Sequence, residues 1–288
     1  MTIKYNSQYV DEKYVGIVEP NLYADTVLIP GVTFTDKYVT GPAGQIMVHK
    51  LSVGDAVSPK APGQDFTDEA SADELITIAI NNNFQKSRKI YGVQSNAVAI
   101  PLAEENLADA VKMCAQGMQY SGLACLADEG TADTDTTAIT TSEKAVEKLL
   151  ALRKAIKDAH GRANFALVNT EIYRFLLQEV GFTYNGYDEA TRDAELLKRF
   201  GLTIIECNSF DMEEAKYIDS TGATKTVDLS KVEMIVGFNE AFSIVPNLNN
   251  MRLIDSEKFT GTLAQCELNV GYKVNSPAQV AVKKYIAA

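Results

Sequence analysis

LAEENLADAVKMCAQGMQYSGLACLA, residues 102–127, is the longest uninterrupted helical pattern in the chain, and the rest of the sequence is organised around it. Leu107, Ala110, Val111, Cys114, Met118, Gly122 and Cys125 recur at spacings of three and four, which places them on one buried stripe of an α-helix. Lys112 and Gln116 fall on a different, polar side. Pro101 suits the first turn, where its missing N–H has no partner to lose, and Glu104 and Glu105 complement the positive end of the dipole. Gly130 is the natural stop. At about 1.5 Å per residue the segment spans roughly 40 Å, the width of a domain. Gly117 and Gly122 each cost about 1 kcal/mol relative to alanine, so they are either tolerated in an ordinary core helix or mark a close neighbour or a bend.

The chain has 288 residues, 46% of them hydrophobic, enough to bury a substantial core in one large domain or two smaller ones. A formal charge of −11 and a pI near 4.8 exclude a general nucleic-acid-binding surface, so any such contact has to be local. No run approaches the roughly 18 apolar residues of a membrane span. The polar start MTIKYNSQYVDEKY lacks the regions of a signal peptide, so a cytoplasmic protein is expected. Cys114, Cys125, Cys207 and Cys266 form no C-x-x-C pair and read as small hydrophobes in preference to a disulfide framework or zinc site. His49 lies in a strand-like alternation, and His160 in the last turn of a helix before Gly161, where a partly charged ring suits the free carbonyls. Neither is placed for catalysis.

Residues 1–40 show no sustained period but carry Tyr5, Tyr9, Tyr14, Tyr23 and Tyr38, aromatic rings that repay burial, so this arm is expected to lie on another surface such as a neighbouring subunit. From Gly44 the pattern is strand-like, with Ile46, Val48 and Leu51, and Leu75 to Ile80 supplies a second β-rich run. Between them runs SVGDAVSPKAPGQDFTDEASADE, too long and polar for a hairpin turn and better read as a two-stranded flap reaching a partner. After the flap, Lys86, Arg88 and Lys89 cluster in an otherwise acidic chain. They form either a solvated cluster or a dock for an acidic surface such as Asp65, Asp68 and Glu69 of another copy's flap, beside Lys60.

Beyond residue 130, TADTDTTAITT reads as a loop, and Thr140-x-x-Glu143 as a capping box opening a helix whose apolar face is Val146, Leu149, Leu150 and Ile156. A strand at 164–168 is followed by a helix capped by Asn169 or Thr170, running through Tyr173, Leu176, Leu177 and Val180. A further helix near 188–200 leads into a strand at 202–206, and this alternation favours a sheet with helices packed on it. The last third is β-rich, with strands expected at 234–238, 242–245, 251–254, 260–272 and 278–286.

No G-x-x-x-x-G-K-S/T, G-x-G-x-x-G or G-x-S-x-G motif occurs. The acidic stretch Asp128, Glu129, Asp133 and Asp135 lacks the glycine and terminal glutamate of a calcium loop and reads as solvated. With two histidines, neither beside a cysteine, no enzymatic activity, cofactor or metal is expected.

The order of parts is the informative feature. PGVTFTDKYVTGPAGQIMVHKL before the flap, NNNFQKSRKIYGVQ before the long helix, FALVNTEIYRFLLQ, and the ending VGFNEAFSIVPNLNN with LNVGYKVNSPAQVAV together resemble a tailed-bacteriophage major capsid protein of the Hong Kong 97 fold. Each motif is made of packing residues, and their order over nearly the whole chain carries the likeness. The resemblance implies an α+β fold with an N-terminal arm at 1–40, an E-loop at 41–82, a peripheral domain with a long spine helix at 83–135 and 247–275, and an axial domain at 136–246 and 276–288. It implies hexamers and pentamers of this chain closing an icosahedral shell around double-stranded DNA in a virion made in the host cytoplasm. A scaffolding protein in trans and a portal are the further partners, with no small molecule or membrane. Because the flap begins by about residue 44, the scaffolding segment that some relatives carry ahead of the arm is not expected here. An encapsulin-like nanocompartment shell is the alternative within the fold, and a soluble enzyme dependent on Cys207 or His49 the alternative outside it.

Overall fold

The computed structural model describes residues 26–35, 45–51, 73–91, 102–179, 196–197 and 199–285. In chain order the strands β1 (Gln45–Leu51), β2 (Asp73–Ala79) and β3 (Asn82–Tyr91) precede the long helix α1 (Leu102–Glu129). Then come β4 (Thr131–Ala132), α2 (Ser142–Asp158), β5 (Phe165–Val168), α3 (Thr170–Glu179) and β6 (Thr203–Glu206). The chain ends through β7 (Ala215–Ile218), β8 (Thr224–Val227), β9 (Val232–Gly237), β10 (Phe242–Asp255), β11 (Gly261–Val274) and β12 (Val280–Lys284). The described residues form an antiparallel sheet in the order β10-β11-β3, a mixed sheet in the order β4-β12-β9-β5-β6, and the hairpins β1–β2 and β7–β8. This is the α+β class expected.

The helix α1 buries the whole stripe read from its period, from Leu107 to Cys125, while Lys112 and Gln116 are exposed. Its two glycines mark close approaches: a Cβ at Gly117 would lie 2.9 Å from the Phe84 ring, and one at Gly122 2.7 Å from Leu28 Cδ1. From Ser121 to Ala127 every residue is buried, so the second half of α1 is enclosed on all sides. Part of that enclosure comes from residues 26–35, where Leu28 and Phe34 are fully buried, the Val27 N–H donates to Gln119 Oε1 at 3.1 Å, and Thr35 bridges to Ser243. Residues 26–35 are thus core of the same chain, with Leu28 filling the space that Gly122 leaves and Phe84 of β3 the space at Gly117. The five arm tyrosines lie outside the described residues.

The two sheets bury different amounts of themselves. In the mixed sheet, Phe165, Leu167, Ile235, Val280 and Val282 face the core that contains α1, and Ala166, Val168, Met234, Val236 and Ala281 face α2 and α3. In the three-stranded sheet, Ala264, Cys266, Leu268 and Val270 face α1 and the residues between them are partly exposed. Antiparallel pairing of β1 with β2, Gln45 opposite Ala79 through Leu51 opposite Asp73, supplies the expected base of the flap.

Several local readings change. The α2 N-cap is Thr141, whose side chain accepts from the Lys144 N–H, so Glu143 sits in the first turn and not at the far end of a capping box. The buried face of α2 is Ala145, Leu149, Leu152 and Ile156, spaced four, three and four, which turns Leu150 outward. Asn169 does cap α3, accepting from the Ile172 N–H at 2.8 Å, with Ile172, Tyr173, Leu176 and Leu177 buried; Val180 lies outside the described residues. Of the helix expected near 188–200 only 196–197 and 199–200 are described, and they are helical. The separate strands expected at 242–245 and 251–254 are one, β10, with a bulge between Leu248 and Asn250. Pro246 does not break it because β10 is an edge strand, where a missing N–H costs no ladder bond. The hairpin β7–β8 is an addition; Asp219 Oδ1 accepts from the N–H groups of Thr221 and Ala223, and Gly222 supplies the left-handed turn at φ 86°.

Candidate functional site

The basic cluster falls on β3, an edge strand of the three-stranded sheet. Strand alternation separates what the sequence places together: Lys86 and Arg88 share the α1 side with Phe84 and Ile90, and Lys89 points to the opposite face. Arg88 is paired within its own chain, its Nη2 donating to Asp109 Oδ2 and lying 3.6 Å from Met113 Sδ on α1. Lys86 and Lys89 are exposed. Lys60, Asp65, Asp68 and Glu69, their expected counterparts on the flap, lie outside the described residues.

The face of this sheet turned away from α1 carries a polar ladder. Arg252 Nε donates to Gln265 Oε1 at 2.7 Å, and Gln265 Nε2 donates to Ser87 Oγ at 3.3 Å. Glu267 Oε1 accepts from Asn83 Nδ2 at 2.6 Å and from Gln85 Nε2 at 3.3 Å. A shallow cavity of about 560 Å³ lies among Gln85, Ser87, Arg252, Gln265 and Glu267. This face had little trace in the sequence, because its residues come from β3 and from the β10–β11 hairpin about 150 residues further on. The one readable signal was the i, i+2 run of Asn83, Gln85 and Ser87.

The acidic stretch after α1 is held by lysines. Lys148 Nζ lies 2.7 Å from Asp133 Oδ2 and 2.9 Å from Asp135 Oδ2, while Lys283 Nζ, fully buried on β12, donates to the Asp135 carbonyl. The Lys148 hydrogen bond, helped by Thr137, holds the Asp135 carboxyl well below the usual carboxylate range. Burial works against the Lys148 charge, but hydrogen bonds to the two aspartates outweigh it and raise its pKa. Buried Glu233 accepts the Ile139 N–H at 2.9 Å and is pushed up by desolvation. Asp128 accepts from the Tyr217 hydroxyl at 2.7 Å, and Glu129 takes Lys273 at 3.1 Å and the Val274 N–H at 3.0 Å. These carboxylates pin the loop and the end of α1 to the sheets. Among the described residues no group of three or more His, Cys, Asp or Glu is arranged to hold a metal, and no helix is long and apolar enough to cross a membrane.

All four cysteines are buried free thiols. Burial pushes Cys207 up to about 12, leaving it protonated at neutral pH. The His160 backbone adopts φ 58° just beyond α2, its N–H donating to the Lys157 carbonyl at 3.0 Å and the Gly161 N–H to the Ile156 carbonyl at 2.9 Å. That is a Schellman closure with histidine in the left-handed position.

No protein-family model matches the sequence, and no curated protein matches it. Solved structures match the fold. The chain is similar to the capsid structure of the cyanophage P-SCSP1u, with a TM-score of 0.64, 15% identity and 92% of each chain covered. It is similar to the mature capsid of bacteriophage PhiM1, with a TM-score of 0.60 and 14% identity over 92% of this chain and 90% of that one. A virus-like particle from Pyrococcus furiosus matches with a TM-score of 0.62 and 11% identity over 95% of this chain and 98% of that one. The fold is therefore that of capsid-shell subunits, the Hong Kong 97-type architecture that the order of the sequence motifs implied.

Proposed function

We propose that this chain is a major capsid protein, a structural coat subunit that self-assembles as hexamers and pentamers into an icosahedral phage head. The observation that carries the reading is the match to shell-forming chains over at least nine-tenths of both partners. Packaged double-stranded DNA, held non-specifically, is the content of the shell, and a scaffolding protein and a portal are its transient and vertex partners. The subunit is made in the host cytoplasm and ends in the virion. It acts by packing and not by catalysis. In this reading residues 1–40 form the arm, 41–82 the E-loop, 83–135 with 247–275 the peripheral domain around the spine helix α1, and 136–246 with 276–288 the axial domain.

Contacts between copies run from the flap to the basic strand: Lys60, Asp65, Asp68 and Glu69 on one subunit against Lys86 and Lys89 on the next, with Arg88 held back by Asp109. Reversing Lys86 and Lys89 to glutamate is expected to slow assembly, most at low salt where screening is weakest. Normal assembly rates across salt concentrations would remove this contact from the reading.

A second reading, an encapsulin-like nanocompartment shell, is favoured by the near-complete coverage of the Pyrococcus furiosus particle. Electron microscopy and sedimentation of the purified protein test the class, since closed shells are expected and a stable monomer would overturn both readings. Nuclease-protected DNA inside particles from infected cells supports the phage head, whereas enclosed protein cargo without DNA supports the nanocompartment.

A further inference from the structure

The corner between β2 and β3 is gripped from both faces of the three-stranded sheet. β3 enters the sheet at Asn82, opposite Val270 of β11. One residue further along β11, a Cβ on Gly271 would lie 2.9 Å from the Ala79 carbonyl oxygen and 3.1 Å from Ile78 Cγ2, so β2 crosses β11 with its backbone in contact. Ile76 and Ile78, with Ile80 beside them, pack on Val245 and form a small apolar seat for the flap base. On the opposite face Asn82, buried and on the α1 side of β3 with Phe84, meets the hairpin β7–β8. The Ile218 N–H donates to Asn82 Oδ1 at 2.8 Å, and Asn82 Nδ2 donates to the Ile218 carbonyl at 3.0 Å. A single side-chain amide thus satisfies both backbone groups of the last residue of β7, as a neighbouring strand would. Asn81 adds a hydrogen bond from Nδ2 to the Asp219 carbonyl at 3.1 Å. The hairpin is fastened in turn to α1, where Ser121 Oγ donates to the Lys216 carbonyl at 2.7 Å and Asp128 accepts the Tyr217 hydroxyl.

We propose that Asn82 is a latch that makes the flap base and the β7–β8 hairpin one opening unit, so that loosening either element loosens the other although the latch spans 136 residues of sequence. The physical reason is the burial of the amide. If the hairpin lifts, Asn82 is left with an unpaired donor and acceptor inside the protein; if the corner lifts, Ile218 loses the partners of its N–H and carbonyl. Opening both together exposes all of these groups to water and avoids that cost. A coupling of this kind acts equally in both directions. The exposed tip of the hairpin at Thr221 and Gly222 is then a place from which the flap can be loosened without touching it. The coupling belongs to a single chain and does not rest on the proposed shell function.

The test is native-state hydrogen exchange of the full-length protein in low denaturant, read by mass spectrometry over 73–82, 215–227 and the fully buried strand β9. In the wild type the first two segments are expected to exchange through one shared opening with the same denaturant dependence, and β9 through a costlier one. Asn82→Ala should speed exchange in both segments by about tenfold or more and leave β9 unchanged. Gly222→Val approaches from the other side. Its new side chain meets nothing within 4 Å and strains only the left-handed turn at φ 86°, so it touches no residue of the corner, yet it should speed exchange over 73–82 as well. Loosening confined to 73–82 in Asn82→Ala, loosening confined to 215–227 in Gly222→Val, or no change in either variant would overturn the latch. An equal loss of protection in β9 would do the same, since it would show a general loss of stability. If Asn82→Ala does not fold, the wild-type denaturant dependence decides alone, and separate openings of the two segments refute the coupling. Absence of shells in the same preparation would count against the proposed function and leave this result standing.

Discussion

The two main sheets solve burial in opposite ways. In the mixed sheet, β5 and β9 are buried at every position, because α1 and its core lie on one face and α2 with α3 on the other. In the three-stranded sheet, β11 alternates buried and half-exposed residues, because α1 covers one face and the other carries the ladder through Ser87, Gln265 and Arg252. On that second face β2 covers only the end at Val245 and Gly271, with Ile76 and Ile78 buried there, so a sheet covered on both sides has no face left for a neighbour and this one keeps the stretch that carries the ladder. For a subunit proposed to touch other copies on several sides, that difference separates the part that holds the molecule together from the part free to meet a partner.

The largest expected effect comes from testing adjacent residues. Ile235→Asp and Val236→Asp point to opposite faces of β9, yet both should prevent folding, since an unpaired buried carboxylate costs several kcal/mol of a total of about 5–15. On β11 the same pair of changes should split: Ala264→Asp prevents folding and Gln265→Asp leaves a cooperative melt. Circular dichroism of the four proteins decides it, and failure of Gln265→Asp to fold would show that the open face is covered after all.

The loop that fastens α1 to the mixed sheet gives an intermediate effect with a pH signature. The depressed Asp135 contributes stability that is present above the ordinary carboxylate pKa of about 4 and is lost as pH falls through its folded value. The raised Lys148 contributes stability that is present below about 10.5 and is lost as pH rises through its folded value. Buried Glu233 has the opposite sign from Asp135, because its raised pKa favours the protonated form in the fold and recovers a little stability in acid. Lys148→Met leaves Asp133 without its cation and is expected to cost about 1–3 kcal/mol at pH 7. It should also flatten the loss below pH 4. Urea midpoints of the two proteins between pH 3 and pH 8 measure both; parallel curves would mean the network does not set the acid limb.

How far each region was readable follows from the same contrast. The stripe of α1 was legible because Leu107, Val111, Cys114 and Met118 repeat at the helical period on a helix that, over its first half, is buried on one side. Its second half was not, since Ser121 to Ala127 are enclosed by residues as distant in sequence as Leu28 and Tyr272. The strands expected at 242–245 and 251–254 are continuous through Pro246, whose cost depends on whether its strand is at an edge, which is a property of the sheet and not of the local sequence. The β7–β8 hairpin did carry a signal, Asp219 to Gly222 between short alternating runs, and was missed because neither strand exceeds four residues. The basic residues looked like one site because sequence adjacency was taken for spatial adjacency, whereas a strand sends Arg88 and Lys89 to opposite faces. The lysine partners of Asp133 and Asp135 arrive from α2 and β12 and had no local trace.

A smaller effect, of opposite sign, is expected where α2 ends over the mixed sheet. His160 holds the left-handed position of the Schellman closure, a conformation that costs an L-residue about 1 kcal/mol and glycine almost nothing. The side chain is exposed, so little packing is lost by removing it. His160→Gly should stabilise the chain by about 0.5–1 kcal/mol. Gly161→Ala should do the reverse, since its Cβ would lie 2.8 Å from Ile156 Cγ2 and 2.9 Å from Gln279 Cγ. A thermal melt in which His160→Gly destabilises would show that the imidazole makes a contact the closure depends on.

The smallest effect on folding is expected on the open face, and it is the one that ties the comparison to assembly. Gln265→Ala removes the acceptor of Arg252 and the donor to Ser87, but these are solvent-exposed hydrogen bonds that water can replace. The cost should be about 0.5 kcal/mol or less, a shift in melting temperature of about 1–2 °C. If the face meets another copy, the same change should lower the yield of closed shells well beyond what so small a loss explains, because water is excluded there and the freed Arg252 and Ser87 groups stay unpaired. Sedimentation of assembled against unassembled protein, set beside the melt, separates the two. A variant that melts and assembles like the wild type would place the contact surface elsewhere, and would reduce the polar ladder to a solvated face whose only requirement is to stay out of the core.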